Sequence, residues 1–469
     1  MKKFKRVLRA LGLTSVLGMS CLALGSCEQQ DTNHTITFYT TMGEKLQAPL
    51  NESIAAFEAK FPGWEVEAIF PGGYDEVKSA IVGDLQANSQ PDLAYCYADH
   101  VAQYLVTGKV VNISKFVDNQ NPLVATVKEN NEWVEKTYEN EIVGYTEAEV
   151  KDFVPGYYAE GYAKNYANFS SYGYTEMDLL TLPFQKSTEI LYYNADALEE
   201  LGVEVPQTWD ELWDVCRKAK AKWPQSTPLG YDSESNWFIT MCEQNGWGYT
   251  SAQNPHYLFN NAQTQAWLTE LNGYFNEGLF TTQEIYGAYS SNLFTKGAET
   301  GSILSIGSSG GASYQDPGTK FDWGVAPIPG SKLADGTVVK KAISQGPSLV
   351  MFETSATNAD EKQLMTWEFV KFLLDPQYQC KFAGTSGYMP ARISAYEVPY
   401  YQELLEDTTN IVVATVLCAK TMTDNYYTSP AFVGSSTART QVGSALVYAA
   451  MGTKSAQAAL SDAAKKCGA

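Results

Sequence analysis

Gly307-Ser308-Ser309-Gly310-Gly311 is where this 469-residue chain comes closest to covalent chemistry. G-x-S-x-G is the turn that lifts a serine nucleophile off a strand, and hydrolases of that kind place the base histidine later in the chain. The three histidines, His34, His100 and His256, all precede it. Another chain order stays geometrically open, but the better reading is a strand end. There, backbone N–H groups and the Ser308 and Ser309 hydroxyls donate to ligand oxygens. The histidines are too scattered for zinc, and no HExxH, EF-hand, P-loop or dinucleotide fingerprint occurs, so neither a metal nor a cofactor is expected. A carboxylate pair for glycoside hydrolysis stays open among 53 acidic residues, and nothing in the sequence selects one.

Aromatic supply is the stronger signal. Thirty Tyr, 20 Phe and 10 Trp make up 13% of the chain, and a sugar asks for flat walls against its C–H faces and short polar side chains at its hydroxyl edge. Asn236-Trp237-Phe238 and Asn245-Gly246-Trp247-Gly248-Tyr249 offer that mixture in a region that reads as loop. This makes Trp237 and Trp247 candidates for stacking, with core packing as the plain alternative.

Residues 1–26 are expected to be an address rather than fold. Five Lys/Arg precede an apolar run from Ala10 to Leu24, which closes on Leu24-Gly25-Ser26-Cys27. The ending resembles the bacterial lipobox, which implies cleavage before Cys27 and diacylglycerol on its thiol, with the membrane met through that anchor alone. An ordinary signal with a chance cysteine is the alternative. No later stretch reaches the roughly 18 apolar residues of a spanning helix. Removing the leader leaves 28 basic against 53 acidic residues, a net charge of −25, which repels nucleic acid and anionic lipid. Six cysteines follow Cys27; their spacing cannot pair them, and buried free thiols serve a core of this size equally well.

The elements that must position these groups alternate between strand and helix. Thr35 to Thr40 reads as a strand, and Leu46, Leu50, Ile54, Phe57 and Phe61 recur at helical spacing up to Pro62-Gly63. Trp64 to Phe70 alternates as a strand, and 91–95 reads as another, the opening of an α/β half with a largely parallel sheet. Residues 117–180, rich in Asn, Glu, Tyr and Gly, read as a helical and looped insertion. Thr208-Trp209-Asp210-Glu211 is a capping box opening a helix. Further helices are expected over Thr366–Leu374 and Ala456–Lys466.

"LPFQKSTEILYYNADALEELGVEVPQTWDEL" at 182–212 resembles the family 1 extracellular solute-binding proteins of ABC importers. "AFEAKFPGWEVE", "FDWGVAPIPG", "FVKFLLDPQYQCKFAGTSGYMPA" and "AMGTKSAQAALSDAAKK" agree in order across nearly the whole mature chain, with the glycerol-3-phosphate-binding-like branch as the nearest subgroup. The resemblance implies an α/β, two-lobed periplasmic-binding-protein fold of type II, with hinge crossovers around a central ligand cleft. It implies a leader over 1–26 and a lipidated tether over 27–34. One lobe would be built from 35–185 and 304–352 with the insertion, and the other from 186–303 and 353–469. The first crossing would run from Pro183 past Ser187, the return near Gly301 to Ile306, and the last near Met351 to Ser355. By matching position, Glu44, Tyr74, Gly346, Tyr388 and Arg439 would face ligand. Asp99 is offset from the family's cleft carboxylate, and Lys186 replaces the usual Asn or Ser. The implied protein is a monomeric receptor for a small carbohydrate, handing it to the permease transmembrane subunits. A glycerol phosphate or phosphodiester ligand is the alternative within the class, and a surface glycan-degrading enzyme the alternative outside it.

Overall fold

The computed structural model describes residues 33–468; the leader, Cys27 and most of the tether lie outside them. Strand β1 (Thr35–Tyr39) buries Ile36 and Phe38. It is followed by α1 (Glu44–Lys60), β2 (Glu65–Ile69), α2 (Tyr74–Ala87) and β3 (Leu93–Cys96). Strand β1 pairs in parallel with β2 on one side and β3 on the other. Parallel neighbours need crossovers, and α1 and α2 supply them.

The segment read as helical and looped is so in its second half, with short helices at Glu147–Lys151 and Pro155–Ala159, but opens with a hairpin. β4 (Pro122–Glu129) and β5 (Glu132–Ile142) are antiparallel, joined by Asn130 and Asn131 at φ 51° and 66°. Two successive left-handed residues form the turn whose twist matches a hairpin. Strand β4 does carry a period of two in its buried Leu123, Ala125 and Val127. Strand β5 is largely solvent-facing, so it shows no apolar face to read.

From β6 (Leu182–Pro183) the chain runs through β7 (Gln185–Lys186) to β8 (Glu189–Asn194). Then come α3 (Trp209–Lys222), β9 (Leu229–Tyr231), α4 (Glu234–Asn245), β10 (Phe280–Thr282), β11 (Leu304–Ser308) and β12 (Trp323–Pro327). The capping box at the start of α3 is present: the Glu211 amide donates to Thr208 Oγ1 at 3.3 Å and the Thr208 amide to Glu211 Oε2 at 3.2 Å. After β12 come β13 (Ser348–Met351), α5 (Ala359–Leu373), α6 (Pro376–Ser386), β14 (Met389–Pro390) and α7 (Ser435–Ala450). The expected final helix spans Ala456–Cys467.

Two five-stranded sheets result, ordered β2-β1-β3-β13-β6 and β10-β9-β11-β8-β12. Each has its own apolar core. The first crossing lies where the resemblance of 182–212 implied it, between β6 of one sheet and β8 of the other. The other two do not. Leu304–Ser308 is a strand in the second sheet, between β9 and β8, and β12 pairs there too. Of the segment 304–352 assigned to the first lobe, only β13 joins its sheet, between β3 and β6. The return crossing therefore falls at 343–347, where Ser187 and Gln345 exchange backbone hydrogen bonds of 2.9 and 2.8 Å.

After Met351 the chain stays with the first sheet. Buried Met365, Trp367, Phe369 and Val370 of α5 join the core of Phe38 and Phe57, because that sheet face needs an apolar cover. The last crossing comes at β14, which pairs with β7. The six described cysteines are unpaired. Among the described residues no helix is long and apolar enough to cross a membrane.

Candidate functional site

The C-terminal ends of β3 and β9, the N-termini of α2 and α4, the turn after β11 and the crossings all face one cavity of about 830 Å³. Strand ends and helix starts present unpaired backbone groups and short polar side chains, which is why open α/β sheets bind ligands there. Tyr74, the first residue of α2, stacks on Tyr97 with ring centroids 4.2 Å apart. Tyr388, after α6, lies against Gly310, where an added Cβ would come within 2.6 Å of its ring. Tyr289 and Tyr314 stand more than half exposed at the mouth. Burial pushes the Tyr74 and Tyr388 phenols up, so they act as neutral hydrogen-bonding walls.

The polar groups come mainly from the second sheet. Glu189 opens β8, is 1% exposed, and accepts from the Tyr231 hydroxyl at 2.6 Å. Burial raises its pKa to about 7 against the opposing hydrogen bonds of Tyr231 and Asn236. Asp232 follows β9 directly and accepts from the Ser290 amide; burial raises it to about 6. Ser233, Ser235 and Asn236 start α4 and line the same wall, with Ser308 and Gln315 opposite. Arg439, on α7, donates from Nη2 to Asn236 Oδ1. Burial acts to lower its pKa, but the neighbouring Asp99 carboxylate and the tyrosines outweigh it and hold the guanidinium above its usual value.

Arg439, Tyr97 and Gln345 also border a smaller chamber of about 70 Å³ on the side of the crossings. Asp99 and Gly346 line it, as does a buried ion pair of Lys186 Nζ with Glu160 Oε2 at 2.6 Å. Ser344 donates to the other Glu160 oxygen at 2.6 Å. Lys186 of the 182–212 stretch is thus neutralised by the insertion, and among the described residues lining the main cavity Arg439 is the cation.

Of the residues singled out from sequence, Tyr74, Ser187, Ser308, Tyr388 and Arg439 line the main cavity, and Asp99 and Gly346 the smaller one. Four do not. Glu44 is exposed at the start of α1. Its neighbour Lys45 reaches across instead, to Ser313 Oγ at 2.8 Å and over the Tyr314 ring at 3.8 Å. Lys78 makes a matching reach from α2 to Ser436 of α7, 2.8 Å. Ser309 is wholly buried and tied to the crossing, its Oγ accepting from the Thr188 amide at 3.3 Å.

Trp237 is 1% exposed and stacks on Tyr231 at 4.6 Å inside the second core. Its segment is helix α4, and helical rotation sends Asn236 to the cavity and Trp237 away from it. Trp247 packs beside Trp267 with centroids 6.3 Å apart. Glu189 and Asp232 escaped the sequence reading, although an acid opening an apolar strand and another directly after one were visible signals. Among the described residues no group of three or more His, Cys, Asp or Glu side chains is placed to hold a metal ion.

Gly346 has φ +94°, and a Cβ there would sit 2.1 Å from the Gln185 carbonyl oxygen. Gly346→Ala is therefore expected to cost more than about 1 kcal/mol, from the left-handed backbone and the displaced crossing. A urea denaturation midpoint equal to that of the unaltered protein contradicts this.

Residues 52–407 match the family model described as bacterial extracellular solute-binding protein. The sn-glycerol-3-phosphate-binding periplasmic protein UgpB of Escherichia coli K12 is 23% identical over 414 residues, covering 84% of this chain and 83% of that protein. Among solved structures, UgpB from Mycobacterium tuberculosis in complex with glycerophosphocholine superposes with a TM-score of 0.70 at 17% identity, over 92% of this chain and 97% of that one. The GacH receptor of Streptomyces glaucescens, known unliganded and with acarbose, superposes at 0.68 and 17%, over 92% and 96%.

Proposed function

We propose, from the premise that the chain belongs to the bacterial extracellular solute-binding protein family, that it is the receptor of an ABC importer. On this reading it captures a sugar or oligosaccharide and delivers it to the permease. The observation that carries the reading is a cavity of about 830 Å³ whose walls come from both sheets and combine tyrosine faces with hydroxyls, amides and carboxylates. Ring stacking supplies contact area and the polar groups sort hydroxyl patterns. A micromolar affinity corresponds to about −8 kcal/mol, within reach of two stacked faces and several paired hydroxyls.

Capture works by population shift: solute touches both halves only when they are closed, so binding favours closure. The bridges from Lys45 and Lys78 add to the closed state alone. Diacylglycerol on Cys27 would hold a monomeric receptor at the outer face of the cell membrane through the tether.

A glycerol phosphate or glycerophosphodiester is the second reading, favoured by the Arg439 guanidinium in the cavity wall. It is also the ligand class for which the UgpB relatives are named. The test is calorimetric titration of the mature protein with sugars and glycerophosphodiesters, with the products analysed afterwards. Saturable binding with the solute recovered intact is expected. New reducing ends would instead make it a glycan-degrading enzyme, and no binding by either class would reject both ligand readings.

A further inference from the structure

Arg439 and Glu189 do not touch, yet one amide joins them. Asn236 Oδ1 accepts from the guanidinium, which leaves its NH2 on the side of the Glu189 carboxylate, whose charged form it favours and whose firm partner is the Tyr231 hydroxyl at 2.6 Å. Both ions border the same cavity. We infer that Glu189 sets whether this cavity favours a neutral or an anionic solute, as the counter-charge to Arg439 held at one amide's distance. The inference rests on the proposed reading, in which solute meets Arg439.

The physical case is a charge balance inside a water-poor wall. With Glu189 ionised, the Arg439–Asn236–Glu189 row is neutral overall, and an anion arriving at the guanidinium also meets the carboxylate behind it. With Glu189 neutral, the row carries a full positive charge. A hydroxyl-bearing neutral solute is indifferent to that difference to first order, whereas an anion is not. Glu189 acts through Asn236 and is a positioning residue here.

The groups that face Glu189 are Tyr231 and Asp232 from the end of β9, Arg439 from α7, and Tyr427. Of these, Asp232 also titrates below neutrality, at about 6, and its carboxylate is held by Ser290 rather than by the amide row. A carboxylate that burial brings to about 7 changes state within the ordinary range of extracytoplasmic pH, so the preference shifts with acidity. The sign is fixed: acid removes the carboxylate charge and strengthens anion binding.

The experiment titrates glycerophosphoglycerol, whose one phosphodiester charge is constant from pH 6.5 to 8, and maltose, which has none. Wild type, Glu189→Gln and Glu189→Asp are compared, with Asp232→Asn as a control and melting curves confirming folding. Glu189→Gln should raise the phosphodiester-to-maltose affinity ratio at least tenfold at pH 8, and Glu189→Asp should keep it within about threefold of wild type. The wild-type ratio should rise from pH 8 to 6.5. That response should survive in Asp232→Asn and vanish in Glu189→Gln. An unchanged ratio in Glu189→Gln, or a pH response that persists there, overturns the inference while leaving the receptor reading intact. Failure of wild type to bind either solute rejects the ligand reading and this inference with it.

Discussion

Arg439→Ala is expected to abolish binding of a glycerophosphodiester, a loss of at least about a hundredfold, while reducing affinity for a neutral sugar several-fold. A hydrogen bond to a charged group contributes roughly 1.5–3 kcal/mol, and a guanidinium grips a phosphate with two at once. Removing it also leaves Glu189 and Asp232, among the described residues lining the main cavity, without a cation facing them, so the cavity turns repulsive to anions as well as losing its grip. A sugar hydroxyl loses one partner and meets no new repulsion. Arg439→Lys should fall between, because an ammonium keeps the charge and gives up the planar fork. Isothermal titration with both solute classes reads the outcome. Loss of sugar binding as complete as that of the phosphodiester would mean that the mutation collapses the cavity.

Trp237→Ala separates packing from recognition. Its indole lies between Tyr231 at 4.6 Å and Phe280 at 5.2 Å, with Trp209 and Trp213 at 6.0 and 6.2 Å. Truncation empties a space that four rings cannot collapse into without leaving their own contacts. The expected cost is about 3–5 kcal/mol of stability. The fraction that stays folded should bind solute within a few-fold of wild type. Urea denaturation and titration of the same preparation decide it: strong loss of affinity with an unchanged denaturation midpoint would return Trp237 to the ligand site.

Much of this architecture was legible because it is written locally. A capping box needs four residues, and Thr208 to Glu211 folds as one. The alternating opening up to β3 needs only hydrophobic periods of 2.0 and 3.6. The crossing from Pro183 past Ser187 was legible only through the resemblance of 182–212 to the solute-binding family, not from any local period. Trp237 misled for the complementary reason: aromatic content does not say which side of a helix it faces when the segment is not recognised as a helix, while Trp247, just past the end of α4, packs beside Trp267. The β5 strand stayed hidden because a solvent-facing strand has no burial to imprint on its residues.

The sequence by itself determined the repertoire: an acidic chain with a lipobox-like leader, α/β periodicity, an aromatic surplus, and no fingerprint of metal or nucleotide chemistry. Tertiary structure alone decided which strands share a sheet, and hence that Leu304–Ser308 lies in the second sheet, not at a crossing. It also decided which charges meet, since Lys186 finds Glu160 and Arg439 finds Asn236 across long stretches of chain. Strand partners and buried charges are chosen by desolvation and by competition among distant segments for the same face, and no local window of residues contains both competitors.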